Sequence, residues 1–119
     1  MEGLGIDIVD VERFEKHKEN LDSAFCKKVF TDGEREYLKN KTTASMAGLF
    51  AAKEAVAKAL GTGFRGFFPN EIEIKHSELG SPYVFLQGKV KELAENTTIL
   101  ISISHSKTTA VAVAQVIKQ

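Results

Sequence analysis

The stretch from Phe50 to Gly63 (FAAKEAVAKALGTG) restricts this chain more than any other. Read as a helix beginning near Thr43 and ending at Gly61, its 18 residues before Gly61 hold seven alanines and only three charges, Lys53, Glu54 and Lys58. At about 100° per residue, Met46, Leu49, Phe50, Val56, Ala57 and Leu60 form one apolar stripe, with Lys53 projecting into its middle. Gly48, Ala52, Ala55 and Ala59 make a smooth opposite side that lets another backbone come close. Glu54 and Lys58 form an i,i+4 pair on the flank. On a solvated helix such a pair contributes only about 0.3–0.5 kcal/mol. A solvated face is charged throughout, however, and these charges stand among small residues. They are therefore expected in a crowded, partly dry place, where charges need partners or a ligand.

The remaining segments are short. Residues 2–9 alternate, with Leu4, Ile6 and Ile8 on one face and Gly3, Gly5, Asp7 and Val9 on the other, as in a half-buried strand. Helical patterns follow from Asp10 or Val11 to about Lys18 and from Leu21 to Phe30. Thr31-Asp32-Gly33-Glu34 matches a capping box and predicts a helix from Asp32 to about Lys39. Thr42 or Thr43 caps the central helix, and Gly61 is its natural C-terminal stop. Strands are predicted at Glu71–His76 and Tyr83–Leu86, then a short helix over Gly88–Glu95 with Val90 and Leu93 inward. Two long strands, Ile99–Ser104 and Thr109–Ile117, have a hairpin-length connection. The order βαααββαββ implies one α+β domain over residues 1–119, with a mainly antiparallel sheet and helices packed on one side. In the last strand Ala110, Ala112 and Ala114 line one face, and Val111, Val113 and Ile117 the other. Both faces are uncharged, so burial against another subunit with closed rotational symmetry is expected.

Composition narrows the function classes. Sixteen basic residues balance sixteen acidic ones, so no overall field favours nucleic acid or an anionic membrane. No apolar run approaches the ~18 residues of a membrane span, and no basic-then-apolar signal segment opens the chain. Cys26 is the one cysteine; it has no partner for an internal disulfide or a metal cluster, and a reducing cytoplasm fits best. Gly61-Thr62-Gly63-Phe64-Arg65-Gly66 matches the dinucleotide fingerprint by letter, but it follows a helix C-terminus, where the dipole has the wrong sign for an anion. These glycines read as a cap and a turn.

Four residues carry chemistry. Asp7 is a strand carboxylate whose same-face neighbours are glycines. Glu54 and Lys58 lie one helical turn apart. His105 ends a strand in the polar run Ser102, Ser104, His105, Ser106, Lys107 and Thr108, where it suits a base, a phosphate donor or a turn residue. His17 and His76 fall on exposed-looking faces. Asp7 and Glu54 make a coherent set if a divalent ion lies between them. Magnesium accepts a couple of carboxylates and takes its other oxygens from water and a substrate phosphate. Lys58 would reach the same phosphates, which makes a phosphoryl-transfer kit.

Gly5-Ile6-Asp7-Ile8 with Arg13, Phe50-Ala51-Ala52-Lys53-Glu54-Ala55 with Lys58-Ala59 and Gly61-Thr62-Gly63, and Ser102-Ile103-Ser104-His105-Ser106 together resemble the holo-acyl-carrier-protein synthases. These are the short members of the 4′-phosphopantetheinyl transferase superfamily. The resemblance spans nearly the whole chain, including Glu71-Ile72-Glu73-Ile74 and Gly80-Ser81-Pro82-Tyr83.

It implies magnesium-dependent transfer of phosphopantetheine from coenzyme A to a serine of apo-acyl carrier protein, releasing adenosine 3′,5′-bisphosphate, in support of fatty acid biosynthesis. By the same resemblance Asp7 and Glu54 bind the metal, while Lys58, Gly61, Gly63 and His105 bind the coenzyme. Lys58 also stabilises the leaving group. Glu54, a metal-held water or His105 takes the serine proton. A homotrimer is implied, with coenzyme sites between neighbouring subunits. Arg13 and Phe14 are the implied carrier-docking residues. Lys16 and Lys18 are interleaved with Glu15, Glu19 and Asp22, which leaves either Lys27 and Lys28 as the further basic contacts or a weaker, more salt-sensitive docking. Two other readings fit the same residues: a magnesium-dependent hydrolase of a small pyrophosphate ester, and a non-catalytic trimeric module that binds coenzyme A or a carrier protein.

Overall fold

The computed structural model describes residues 2–61 and 66–119. Its centre is the long alanine-rich helix, with a sheet on one side of it and smaller elements on the other. Strand β1 (Gly3–Asp10) leads through a 3-10 turn (Val11–Phe14) into three short helices, α1 (Glu15–Glu19), α2 (Ala24–Val29) and α3 (Asp32–Leu38). The central helix α4 runs Thr43–Ala59. A 3-10 turn (Pro69–Glu71), strands β2 (Ile72–His76) and β3 (Pro82–Leu86), helix α5 (Gly88–Leu93) and strands β4 (Thr97–His105) and β5 (Thr109–Lys118) complete the order. Three strands form one sheet in the order β1-β5-β4, and β2 and β3 form a separate pair; every pairing is antiparallel. The single predicted sheet is thus two.

The helix boundaries follow from local chemistry. The Thr42 side chain accepts from the Ser45 N–H and opens α4. Gly61 closes it in a left-handed conformation, φ 81°, donating its N–H to the Lys58 carbonyl. The capping box at Thr31 is complete. Glu34 N–H donates to Thr31 Oγ1 at 3.1 Å, and Thr31 N–H donates to Glu34 Oε1 at 2.9 Å.

The smooth side of α4 lies on the three-stranded sheet. A Cβ added to Gly5 would collide with the carbonyl oxygen of Ala55, and one added to Gly3 with that of Ala59. The glycine face of β1 is therefore the buried one, because only hydrogen allows strand and helix backbones this close. Ala110, Ala112 and Ala114 of β5 are buried under the same helix. The alanine face, bare in the sequence, is covered within the chain. The opposite face is open: Leu4, Ile6 and Ile8 are 71%, 62% and 68% exposed, and Leu100 and Val113 stand beside them.

On its other side α4 meets a core of Phe14, Phe30, Leu38, Met46, Val56, Ile72 and Val90. One inward assignment changes. Leu93 is exposed and Ala94, just past the end of α5, is buried in its place. Cys26 is fully buried with its thiol free of any disulfide. No helix among the described residues is long and apolar enough to cross a membrane.

Candidate active site

The register of β1 on α4 brings three of the expected residues together. Lys58 Nζ donates to Asp7 Oδ1 at 3.0 Å and to the Ile6 carbonyl at 2.9 Å. Asp7 is mostly buried and Lys58 half exposed. The second carboxylate oxygen, Asp7 Oδ2, is buried with no hydrogen-bond partner among the described residues. Glu54, half-buried, shares the site. Burial first, and then the negative charge of Asp7, push its carboxyl above the ordinary range, while Lys58 and Arg13 pull the other way.

An orphaned buried carboxylate oxygen beside a second carboxylate is unfavourable as it stands and well matched to a cation. Among the described residues no group of three or more His, Cys, Asp or Glu converges, so the chain supplies two carboxylates. That donor set fits magnesium, which is held by one or two carboxylates with substrate phosphates and water completing its shell. It does not fit zinc, which takes three or four protein ligands rich in nitrogen or sulfur.

His105 does not join this cluster. Asp7 pairs with Ala112 from one edge of β5, whereas His105 pairs with Ala110 from the other. Two strand spacings, about 10 Å, separate β1 from β4. The imidazole lies near Gly48, whose Cβ would stand 3.8 Å from His105 Cδ2. Gly48 precedes Glu54 by six residues, about 9 Å along the helix axis. His105 instead lines a pocket of about 160 Å³ with Tyr37, Ser45, His76 and Pro82. His76, read as exposed, is half-buried and stacks on Tyr37 with ring centroids 4.3 Å apart. Burial and the nearby Lys41 lower its proton affinity. His17 is likewise half-buried, stacked on Phe25 at 3.8 Å.

The docking pair divides. Arg13 is exposed and lies over the rings of Phe14 and Phe50, at 5.4 and 5.1 Å. Phe14 is fully buried, packed on Phe50 at 5.0 Å. It offers no surface to a partner; its ring supports the arginine from below. Gly61 lies at the end of α4, and Gly63, the other glycine expected to touch the coenzyme, falls outside the described residues.

Lys53 is the residue whose partner was not evident. Its side chain is 1% exposed, and its Nζ lies 2.7 Å from Oε1 of Glu34, which is 0% exposed. It also donates to the Pro69 carbonyl at 3.0 Å and to that of Ile72. Three acceptors match the three protons of an ammonium. Glu34 accepts from Lys53, from Thr31 N–H and, through Oε2, from Ile74 N–H at 2.7 Å. Burial pushes the Glu34 carboxyl up and the Lys53 ammonium down, and each partner opposes the shift of the other. Part of the signal was present in the sequence: a lysine inside an apolar stripe needs buried acceptors, but that the capping-box Glu34 supplies one follows only from the packing.

The family profile described as "4'-phosphopantetheinyl transferase superfamily" matches residues 3–114. The holo-[acyl-carrier-protein] synthase of Clostridium botulinum is 46% identical over 118 residues, covering 96% of this chain and 95% of the relative. The crystal structure of a holo-(acyl-carrier-protein) synthase from Bacillus anthracis in complex with CoA (3′,5′-ADP) superposes with a TM-score of 0.82 at 33% identity, covering 98% and 96% of the two chains. That of the Helicobacter pylori holo-[acyl-carrier-protein] synthase in complex with coenzyme A gives 0.84 at 32%, covering 95% and 98%. With the Asp7, Glu54 and Lys58 cluster on the matching fold, the chain belongs to the holo-acyl-carrier-protein synthases of the 4′-phosphopantetheinyl transferase superfamily.

Proposed function

We propose that this protein transfers the 4′-phosphopantetheine group of coenzyme A to a serine hydroxyl of apo-acyl carrier protein, with magnesium held by Asp7 and Glu54. The observation that carries the reading is the pairing of these carboxylates across β1 and α4, one with a buried oxygen left unpartnered. Magnesium, when bound, would neutralise the coenzyme's diphosphate and offset the repulsion between the two acids.

The serine oxygen attacks the phosphorus attached to pantetheine, and a phosphorus–oxygen bond to adenosine 3′,5′-bisphosphate breaks. Lys58 reaches across Asp7 and presents an ammonium to the leaving phosphate. The serine proton passes to Glu54 or to an imidazole. In the same chain His105 lies two strands across the sheet from Asp7 and two residues away in register, which favours a role contributed from a neighbouring copy. The open apolar face of Leu4, Ile6, Ile8 and Val113 supports assembly into the homotrimer that the family resemblance implies. Arg13, held over two aromatic rings, is the carrier contact best supported by exposure and charge.

Incubation with coenzyme A, magnesium and an apo carrier should add one phosphopantetheine mass to the carrier, and a chelator should prevent it. Breakdown of coenzyme A with no acceptor present would instead indicate a hydrolase. Tight coenzyme binding with an unchanged carrier mass would indicate a binding module.

A further inference from the structure

The seam between α4 and the sheet is made of glycine hydrogens and alanine methyls: Gly3, Gly5, Ala110, Ala112 and Ala114 against Ala55, Ala59 and their neighbours. Such a seam is close but smooth. Along β1 and β5 it offers little that resists rotation or sliding of the helix; the larger contact from the sheet is Ile103 of β4, seated over Gly48 near the other end of α4 from Glu54. The metal-facing geometry nevertheless depends on the rotation of α4, because Glu54 must meet Asp7 from β1.

On the side of α4 away from the sheet, about 160° around the axis from Ala55, lies the Glu34–Lys53 pair. It is one residue from Glu54 and takes no part in the transfer chemistry described above. Its contacts are directional and reach three other elements: the Pro69 carbonyl in the 3-10 turn, the Ile72 carbonyl and Ile74 N–H of β2, and the Thr31 N–H that caps α3. Apolar packing alone would tolerate small rotations of α4, whereas this set of bonds has one arrangement that satisfies every partner.

We propose that the buried Glu34–Lys53 ion pair is a positioning device that fixes the rotation and height of α4 so that Glu54 faces Asp7. The pair sets register; its net contribution to stability is small, since burying two charges offsets most of their attraction. This role rests on Asp7 and Glu54 being the metal pair.

The test replaces both charges together, Glu34→Gln with Lys53→Met, leaving no unpaired buried ion and keeping a side-chain acceptor beside the Thr31 and Ile74 N–H groups. The double variant should fold and melt below the parent, because the Pro69 and Ile72 carbonyls lose the Lys53 donor. Its magnesium affinity, measured calorimetrically without coenzyme or carrier, should fall by about 10-fold to 100-fold, the range for residues that orient metal ligands. In turnover, kcat should fall while KM for the carrier stays the same. A folded double variant that binds magnesium as tightly as the parent overturns the proposal. If the double variant does not fold, Glu34→Gln decides: it keeps an acceptor for the cap and loses the charge. An unchanged magnesium affinity in Glu34→Gln overturns the proposal, and a reduced one supports it. The parent and Glu54→Gln are measured alongside. Equal magnesium binding by those two would remove the metal-site reading itself, a result distinct from loss of the positioning role alone.

Discussion

Glu54 illustrates how a site can cost stability while waiting for its ligand. Burial and Asp7 hold its carboxyl above the ordinary value of 4.5. A carboxyl with raised proton affinity in the folded state destabilises that state once it ionises, and the cost disappears as the pH falls and the group is protonated. Glu54→Gln should therefore melt at a higher temperature than the parent near pH 7 in a chelator, with the gap closing toward about pH 4. Excess magnesium should reverse the order, because only the parent gains from binding. A variant that melts below the parent in chelator at neutral pH would contradict the electrostatics described here. In turnover, Asp7→Asn and Glu54→Gln should each lower magnesium-dependent transfer by about 100-fold or more; full activity in both would remove the metal assignment even if the reaction stood.

At the scale of elements, function depends on how closely β1 lies on α4. The strand carries Asp7 and the helix carries Glu54 and Lys58, so their separation sets the width of the site. Gly5→Ala places a methyl against the Ala55 carbonyl, a backbone atom that cannot swing aside. The strand must lift, at a cost of about 1–3 kcal/mol in denaturant unfolding. Transfer activity should fall beyond what the loss of folded protein explains, since Lys58 loses its reach to Asp7 and the Ile6 carbonyl. Equal specific activity per folded molecule would mean that the site tolerates a wider gap. A surface glycine such as Gly80 is unsuitable as a control: its φ of 89° makes an alanine there strained for a different reason.

Across the whole molecule, the apolar face of the three-stranded sheet and the isolation of His105 point the same way. Ile6→Glu puts a charge in the middle of the Leu4, Ile6, Ile8 and Val113 patch. If the proposed trimer forms, sedimentation should show it for the parent and monomer for this variant, with loss of transfer activity. If coenzyme sites form between copies, Glu54→Gln and His105→Ala lie on opposite sides of one site. Co-expressing the two inactive chains should restore part of the activity, because some mixed trimers contain a site with both residues intact. An inactive mixture from assembled trimers would place His105 and Glu54 in the same chain's site or outside catalysis.

Elements and local stops could be read from the residues because they rest on local chemistry. The Thr31–Glu34 capping box, the Gly61 stop and the period of the alanine helix each have one low-energy local solution. The residue types of the proposed site, a strand aspartate and a helix glutamate with a lysine one turn on, were legible in the same way. Which face of β1 would be buried was not legible, since Leu4, Ile6 and Ile8 carry more apolar surface than Gly3 and Gly5. Close backbone approach overrode hydrophobicity there, and only the packed helix reveals it. Phe14 beneath Arg13, Glu34 against Lys53 and His105 beyond the reach of Asp7 are likewise contacts between residues distant in the chain. Local pattern contains no term for such distances; the tertiary fold alone sets them.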